Sequence, residues 1–467
     1  MTTYDISTKY LLELFSHEEA INYLTDLVKN NIIGFPFQKY YCNDPYTLFE
    51  NIKKVKMKVI ESPYKLRSYY PKYATYLPPK FRGNPMVIAS YKENYEDADI
   101  LSDYFIEDIR LQAKRYDQKY SIIELWDDDK TLKFIMSEVL KESNITPKTL
   151  RSSIYKKIPE TRVFNPSWAC TLLNIVLGDN LKGKKWLDIS TGWGDRLLAA
   201  MALDMEYIGY DPNIKLMKGH KEMINMFGNA YKHKVIYEPF ETATIPGGPY
   251  DVVLTSPPYF IIEEYVPNQK GQSIVNYPEF DKWMVWFLFA SLKKAWDNLK
   301  IGGYLILHLG DAKTIVITEA TNIFIENYLR GSWEGIIGIQ GEKGFPRPVW
   351  IWKKIKNSDK TNVWEPDVSS KGLCFNKRTL YNMYPDIHKE LIKYYANIYI
   401  SNKDIVPCTK ISNFIRNKIS LLYNNISKSI IDNILYDDKI LTCLFESISI
   451  DKVIMWASAM IKLALHV

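Results

Sequence analysis

A doubly wound α/β fold with a mainly parallel sheet is what this 467-residue sequence predicts for its central part. Three observations carry that expectation. Between about residue 164 and residue 354, short apolar runs alternate with helical segments, the pattern of a parallel sheet with crossover helices. One such run, 186–189, opens into a glycine-containing turn and a helix start, Asp188-Ile189-Ser190-Thr191-Gly192-Trp193-Gly194-Asp195. The next run, 207–210, closes on Asp211, about 20 residues further on, where an acidic side chain can accept the hydroxyls of a ribose.

Ahead of that region, Leu11, Leu12, Leu14, Phe15, Ile21, Leu24 and Leu27 recur at helical spacing and predict one helix over 10–29, ended by residues 30–36. A second helix is expected over 46–59, behind Asp44-Pro45. From 53 to 82 the chain is dense in Lys, Arg and Tyr. Lys65, Arg67 and Lys72 are among its cations, with Tyr64, Tyr69, Tyr70, Tyr73 and Tyr76 interleaved. Cations pair with phosphates and tyrosines stack on bases, so this is the composition of a nucleic-acid surface. A solvated loop with several core tyrosines has the same composition. Amphipathic helices are expected over 99–114 and 129–141. The polar, basic segment 141–160, with Pro147 and Pro159, marks a domain boundary placed at 155/156.

In the central region, strands are expected at 186–189, 207–210, 234–237, 252–254 and 303–309, with helices from 195, over 282–299 and over 315–328. Residues 335–340 and 349–353 read as a hairpin pair closing the sheet. After 357 the chain is polar to about 380, then helical and rich in Ile, Leu and Asn, with no motif that carries chemistry. The expected organisation is therefore a mainly helical accessory region with a candidate nucleic-acid-binding stretch (1–155), the α/β domain (156–357) and a helical region (358–467).

Composition narrows the partners. The formal net charge of +6 suits a nucleic acid but equally a Lys-rich soluble surface. The five cysteines are scattered and read as reduced thiols of an intracellular protein. The six histidines form no ligand pair at helical spacing, so no metal is expected. The first residues lack the basic and apolar regions of a signal peptide. The apolar run 453–467 is interrupted by Lys462 and too short to span a bilayer. These features predict a cytoplasmic protein (in the host cytoplasm if its source is a virus) with no membrane contact.

The turn itself narrows the cofactor. Asp188, Ser190, Gly192 and Gly194 follow an Asp-x-x-x-Gly-x-Gly pattern. The third glycine of the dinucleotide fingerprint is missing, which disfavours a nicotinamide. The turn joined to Asp211 makes S-adenosylmethionine the expected cofactor.

The apolar run 250–254 leads into Thr255-Ser256-Pro257-Pro258-Tyr259-Phe260. An exocyclic amine on a base is a poor nucleophile, because its lone pair is conjugated into the ring. Drawing its hydrogens toward fixed acceptors restores the lone pair. Neither Pro257 nor Pro258 donates an N–H, and both have a fixed φ. The Ser256 and Pro257 carbonyls and the Ser256 hydroxyl are therefore candidate acceptors in a stiff loop. Tyr259 offers a face for an extruded base, and Phe260 a second wall. Positioning and preorganised dipoles would carry the catalysis, with no metal or covalent intermediate.

The order Phe164-x-Pro166, Asp-x-x-x-Gly-x-Gly, Tyr210-Asp211-Pro212 and Ser256-Pro257-Pro258-Tyr259 resembles the class I S-adenosylmethionine-dependent amino-methyltransferases of the N6-adenine and N4-cytosine type. It is most similar to methylase-like proteins of phages and large DNA viruses, over about residues 160–354. The resemblance implies a Rossmann-like, seven-stranded class I methyltransferase sheet ending in an antiparallel hairpin. It implies that Phe164, Asn165 and Pro166 lie beside the methionine end of the cofactor. It further implies an acidic residue on the adenine amine, either Glu241 or Glu238. The implied activity is methylation of a base amine in DNA, with Ser256 leaning toward cytosine N4. No long insertion for target recognition follows Ser256, which leaves an RNA adenine-N6 acceptor as the alternative. A catalytically silent nucleic-acid-binding protein of the same fold is the other.

Overall fold

The computed structural model describes residues 4–42, 44–61, 79–90, 96–115, 118–158, 160–161, 163–266, 269–311, 317–341 and 345–357, together with 384, 386 and 387. Lys65, Arg67 and Lys72, the tyrosines between them and nearly all of 358–467 lie outside the described residues.

Seven strands form the centre: β1 (Lys185–Asp188), β2 (Glu206–Tyr210), β3 (His233–Ile236), β4 (Tyr250–Thr255), β5 (Leu299–His308), β6 (Gly331–Gln340) and β7 (Arg347–Lys354). Their spatial order is β3-β2-β1-β4-β5-β7-β6. The first five run parallel, and β7 pairs antiparallel with both β5 and β6. This is the seven-stranded sheet that the resemblance implied, with the antiparallel hairpin where the sequence placed it. The central strands are apolar on both faces, as a sheet covered on two sides requires: Val252, Val253 and Leu254 are buried, as are Leu305, Ile306 and Leu307. Helices Asp195–Ala202, Met217–Phe227 and Thr318–Asn327 make crossovers.

The crossover between β4 and β5 is continuous but not uniformly α-helical. Phe280–Lys282 leads into a π-helical stretch, Trp283–Phe289, and then Ala290–Asn298. Its residues Trp283, Met284, Leu288 and Phe289 are fully buried.

The helix expected over 46–59 is Pro45–Lys53, and Val59 lies in a strand; the N-terminal region differs from expectation in three further places. The helix expected over 10–29 is two helices, Thr8–Leu14 and His17–Lys29, because Ser16 forms a capping box with Glu19 and restarts the chain. The helix expected over 99–114 is Glu96–Asp99 followed by Asp103–Arg110. The Asp99 carboxylate instead accepts the Ser167 N–H (3.1 Å) and hydroxyl (2.8 Å) at the start of helix Pro166–Leu177. Third, short strands join the sheet beyond β6. Lys80–Phe81 pairs antiparallel with β6, and Val87–Ala89 pairs parallel with it and antiparallel with Val59–Ile60.

The hydrophobic cores divide accordingly. Leu48, Phe49, Ile52, Phe81, Ile88 and Ile106 pack in one cluster with Trp186, Leu197, Val252 and Ile351 of the α/β domain. A second cluster gathers Leu11, Leu24, Trp126, Ile135, Leu150 and Ile158. The first 158 residues therefore supply both a separate helical core and one wall of the central domain.

Candidate active site

The strand order reverses between β1 and β4, and a crevice forms at such a switch point outside the carboxyl ends of the strands. The glycine turn leaves β1 there, and the Ser-Pro-Pro-Tyr loop leaves β4 beside it.

Asp188 organises this edge. It is fully buried, and both carboxylate oxygens are occupied by protein donors. One accepts the Ser190 N–H (3.1 Å) and the Thr255 hydroxyl (2.9 Å). The other accepts the Arg196 Nε–H (2.7 Å) and the Tyr207 hydroxyl (2.7 Å). Asp188, expected among the cofactor-binding residues, thereby ties β1 to β2, β4 and the helix after the turn. Arg196 also donates to the Ser190 carbonyl, fixing the first residues of the turn.

Gly192 and Gly194 both have positive φ, +60° and +96°. A Cβ on Gly194 would lie 2.8 Å from the Met223 sulfur, so the helix after β2 packs against bare backbone there. Behind the turn, His220 is buried and its pKa is pushed down to about 4 by that burial, which leaves a neutral ring. The Gly192 carbonyl only accepts, so Nε2 carries the hydrogen (3.0 Å), and Nδ1 takes the Tyr237 hydroxyl (3.1 Å).

Asp211 stands at the end of β2. One oxygen accepts the Gly192 N–H (2.9 Å) and the other the Asn213 N–H (2.8 Å). A carboxylate has about four acceptor positions, so each oxygen retains capacity for a further donor. Burial raises its pKa to about 6, opposed by those two backbone donors. A half-buried carboxylate with two free acceptor positions beside a bare-backbone turn fits the diol of a ribonucleoside cofactor.

The other predicted residues spread over the same edge. Phe164 is buried, with its ring edge-on to both Trp168 (5.7 Å) and His308 (5.2 Å). The Asn165 amide donates to Asp99 (2.7 Å), and Pro166 is the first residue of its helix. Glu241 is buried. Its carboxyl takes side-chain hydrogen bonds from Asn276 and Tyr277, and burial raises its pKa to about 7. Its Oε1 has no partner among the described residues. Glu238, the other candidate, is exposed two residues beyond β3.

In the loop after β4, Pro257 is buried while Ser256, Pro258 and Tyr259 are half-buried. Phe260 has φ +54° and packs edge-on to Phe280 (5.3 Å) and Trp283 (5.6 Å), anchoring the loop to the π-helical crossover. One polar residue of the site escaped sequence reasoning. His308, the last residue of β5, places Nδ1 3.0 Å from the Ser256 hydroxyl and 2.8 Å from the Tyr259 hydroxyl. The Tyr259 hydroxyl also lies 3.1 Å from the His308 carbonyl. The available signal was slight: a lone histidine closing an apolar strand in a parallel sheet.

Downstream of the loop the chain crosses the same edge. Tyr265 packs on Trp193 of the glycine turn (5.6 Å), and the Gln269 amide donates to the Pro212 carbonyl (2.7 Å). Glu263 and Glu264 pair antiparallel with Arg115 and Lys114, so the N-terminal region holds this segment in place.

No protein-family model and no curated protein matches the sequence. Among solved structures, TrmN from Thermus thermophilus is similar over 41% of this chain and 49% of its own, at 18% identity and a TM-score of 0.30. An rRNA methylase from Streptococcus thermophilus is similar over 42% of this chain and all of its own, at 11% identity and a TM-score of 0.28. The T. thermophilus 16S rRNA N2 G1207 methyltransferase RsmC, solved with AdoMet and guanosine, is similar over 42% of this chain and 44% of its own, at 14% identity and a TM-score of 0.28. The chain thus spans about half or less of the length of TrmN and RsmC.

Proposed function

We propose that this protein is an S-adenosylmethionine-dependent methyltransferase acting on an exocyclic amine of a nucleobase. One observation carries the reading: the Ser-Pro-Pro-Tyr loop and the glycine turn, with Asp211 at the end of the next strand, leave neighbouring strands at one edge of the sheet. Gly192, Gly194 and Asp211 would hold the nucleoside, and Phe164 would line the site near its sulfonium end. The cofactor supplies an electrophilic methyl group there. The Ser256 hydroxyl and the Ser256 and Pro257 carbonyls orient the amine by accepting its hydrogens. The Tyr259 ring faces the base.

DNA remains the first acceptor, on the resemblance to amino-group DNA methyltransferases. RNA is the second reading, and one feature favours it. The described residues from 256 to 354 belong to the sheet, its crossovers and the segment crossing the site edge. Sequence reading of the acceptor would then fall to the flanking regions, including the Lys65, Arg67 and Lys72 stretch. The deciding experiment incubates the protein with methyl-labelled cofactor and either DNA or RNA, then digests to nucleosides. Label in N4-methylcytosine or N6-methyladenine of DNA supports the first reading. Label confined to N6-methyladenosine from RNA selects the second, and label in no base amine refutes both. Reversing the charges of Lys65, Arg67 and Lys72 should weaken binding and reduce the slope of log K against log salt concentration by about 0.7–0.9 per phosphate no longer neutralised. Affinity and salt slope equal to wild type would remove that stretch from the interface.

A further inference from the structure

The amine that gains a methyl group must give up a proton, and the acceptors named so far hold none at neutral pH. Backbone carbonyls and a serine hydroxyl are feeble bases. We propose that His308 receives this proton through the Ser256 hydroxyl, an inference that rests on the amine-methylation reading above.

The geometry is specific. Nδ1 of His308 lies within hydrogen-bond reach of two hydroxyls, Ser256 at 3.0 Å and Tyr259 at 2.8 Å. The Tyr259 hydroxyl also reaches the His308 carbonyl at 3.1 Å, and the two hydroxyls are 3.4 Å apart. This arrangement serves both protonation states of the ring. With Nδ1 bare, it accepts the Ser256 hydrogen, while the Tyr259 hydrogen lies toward the carbonyl of the same histidine. With Nδ1 protonated, it donates to the Tyr259 oxygen, whose own hydrogen stays on the carbonyl. Tyr259 can thus stabilise an imidazolium without moving. Phe164 meets the ring edge-on at 5.2 Å and fixes its plane. Three charged groups act on the Tyr259 hydroxyl: Arg347, which also lies over the face of Trp168 (5.0 Å), Glu263, which accepts from the Tyr265 hydroxyl (2.8 Å), and Arg196, which is paired with Asp188. Asp311, three residues beyond His308, caps helix Thr318–Asn327 through the Ile317 and Thr318 N–H groups. An imidazole in hydrogen-bond reach of the Ser256 hydroxyl is placed to take up a proton that the carbonyls and the hydroxyl cannot keep.

The step balances. The amine nitrogen forms its bond to the methyl carbon as the carbon–sulfur bond breaks, and that electron pair leaves with sulfur as a neutral thioether. The nitrogen, now positive, passes a proton to the Ser256 oxygen while the Ser256 hydrogen moves to His308 Nδ1. The imidazolium then releases its proton to water.

The test uses the full chain with His308→Ala and His308→Asn. Asparagine can hydrogen-bond Ser256 and Tyr259 but cannot hold the proton. Both variants should lose about 100-fold in kcat, with KM for cofactor and nucleic acid changed by less than about threefold. Full kcat in the asparagine variant would reduce His308 to a positioning residue and overturn the proposal, as would full kcat in the alanine variant. A second measurement is independent of turnover. In protein labelled with 15N-histidine, Ser256→Ala should shift the His308 Nδ1 resonance, and an unmoved resonance would show that the hydrogen bond is absent in solution. If wild-type protein methylates no base amine, the parent reading fails first; if it does and the variants match it, only the role of His308 falls.

Discussion

The two halves of the site are held by different physics. The glycine turn rests on buried charge. The Asp188 carboxylate is enclosed by the Arg196 guanidinium, two hydroxyls and a backbone N–H, and Asp211 grips the turn through Gly192. The loop after β4 rests on two prolines, the aromatic seat of Phe260, and a hydroxyl–imidazole cluster around His308. A buried ion network is rigid, and breaking it leaves a charge uncompensated. A cluster of hydroxyls and an imidazole can pass protons between its members, which suits the half where a proton would leave on the proposed reading. On the proposed reading, the half that would hold the cofactor stays still and the half that would hold the acceptor exchanges hydrogens.

Breaking the charged half should have the largest effect. Asp188→Ala leaves Arg196 buried without its partner and should cost about 3–5 kcal/mol of stability. Chemical denaturation measures it. A loss below about 1 kcal/mol would show that the hub is not what holds this edge. Asp211→Asn probes ligand capture rather than folding. Losing the charge on two ribose hydrogen bonds should cost about 1.5–3 kcal/mol, on the order of 10- to 150-fold in cofactor Kd. The wild type also carries a pH signature. Because burial raises the Asp211 pKa to about 6, the carboxylate protonates as pH falls through that value, and cofactor affinity should fall with it. Calorimetric titration between pH 5 and 7 should show this slope in wild type and its absence in Asp211→Asn (an interval on the order of one unit either side of the pKa). Equal slopes would place the titrating group elsewhere. The hydroxyl–imidazole half should yield the smallest change in stability. Tyr259→Phe removes one hydroxyl and should cost about 1 kcal/mol or less by thermal unfolding, with cofactor affinity unchanged while transfer slows. A large shift in cofactor affinity would mean that the two halves are coupled.

Local spacing made much of this legible. The helix Asp195–Ala202 and the β6–β7 hairpin lie where pattern placed them, and the remaining central strands match within a few residues at their ends. Such features are written in neighbouring residues: a period of two or of three to four, a glycine after a strand, a proline that fixes φ. The N-terminal strands had no comparable signal, because Val59–Ile60, Lys80–Phe81 and Val87–Ala89 are two or three residues long and take their partners from one another and from β6. The break after Asp99 was hidden for a similar reason: its carboxylate serves a helix start 68 residues away.

By itself the sequence determined the sheet, the turn, the acidic residue after β2 and the stiff loop after β4. Each depends on residues adjacent in the chain, whose backbone preferences act before the rest has folded. Tertiary structure alone decided that Asp188 faces protein donors from β2, β4 and the following helix, and that Glu241 is buried beside Asn276 and Tyr277. It alone brought His308 to Ser256 across 52 residues. A hydrogen bond of that span has no local pattern. It exists because β4 and β5 lie side by side and end on the same edge, a consequence of strand order that no stretch of sequence states.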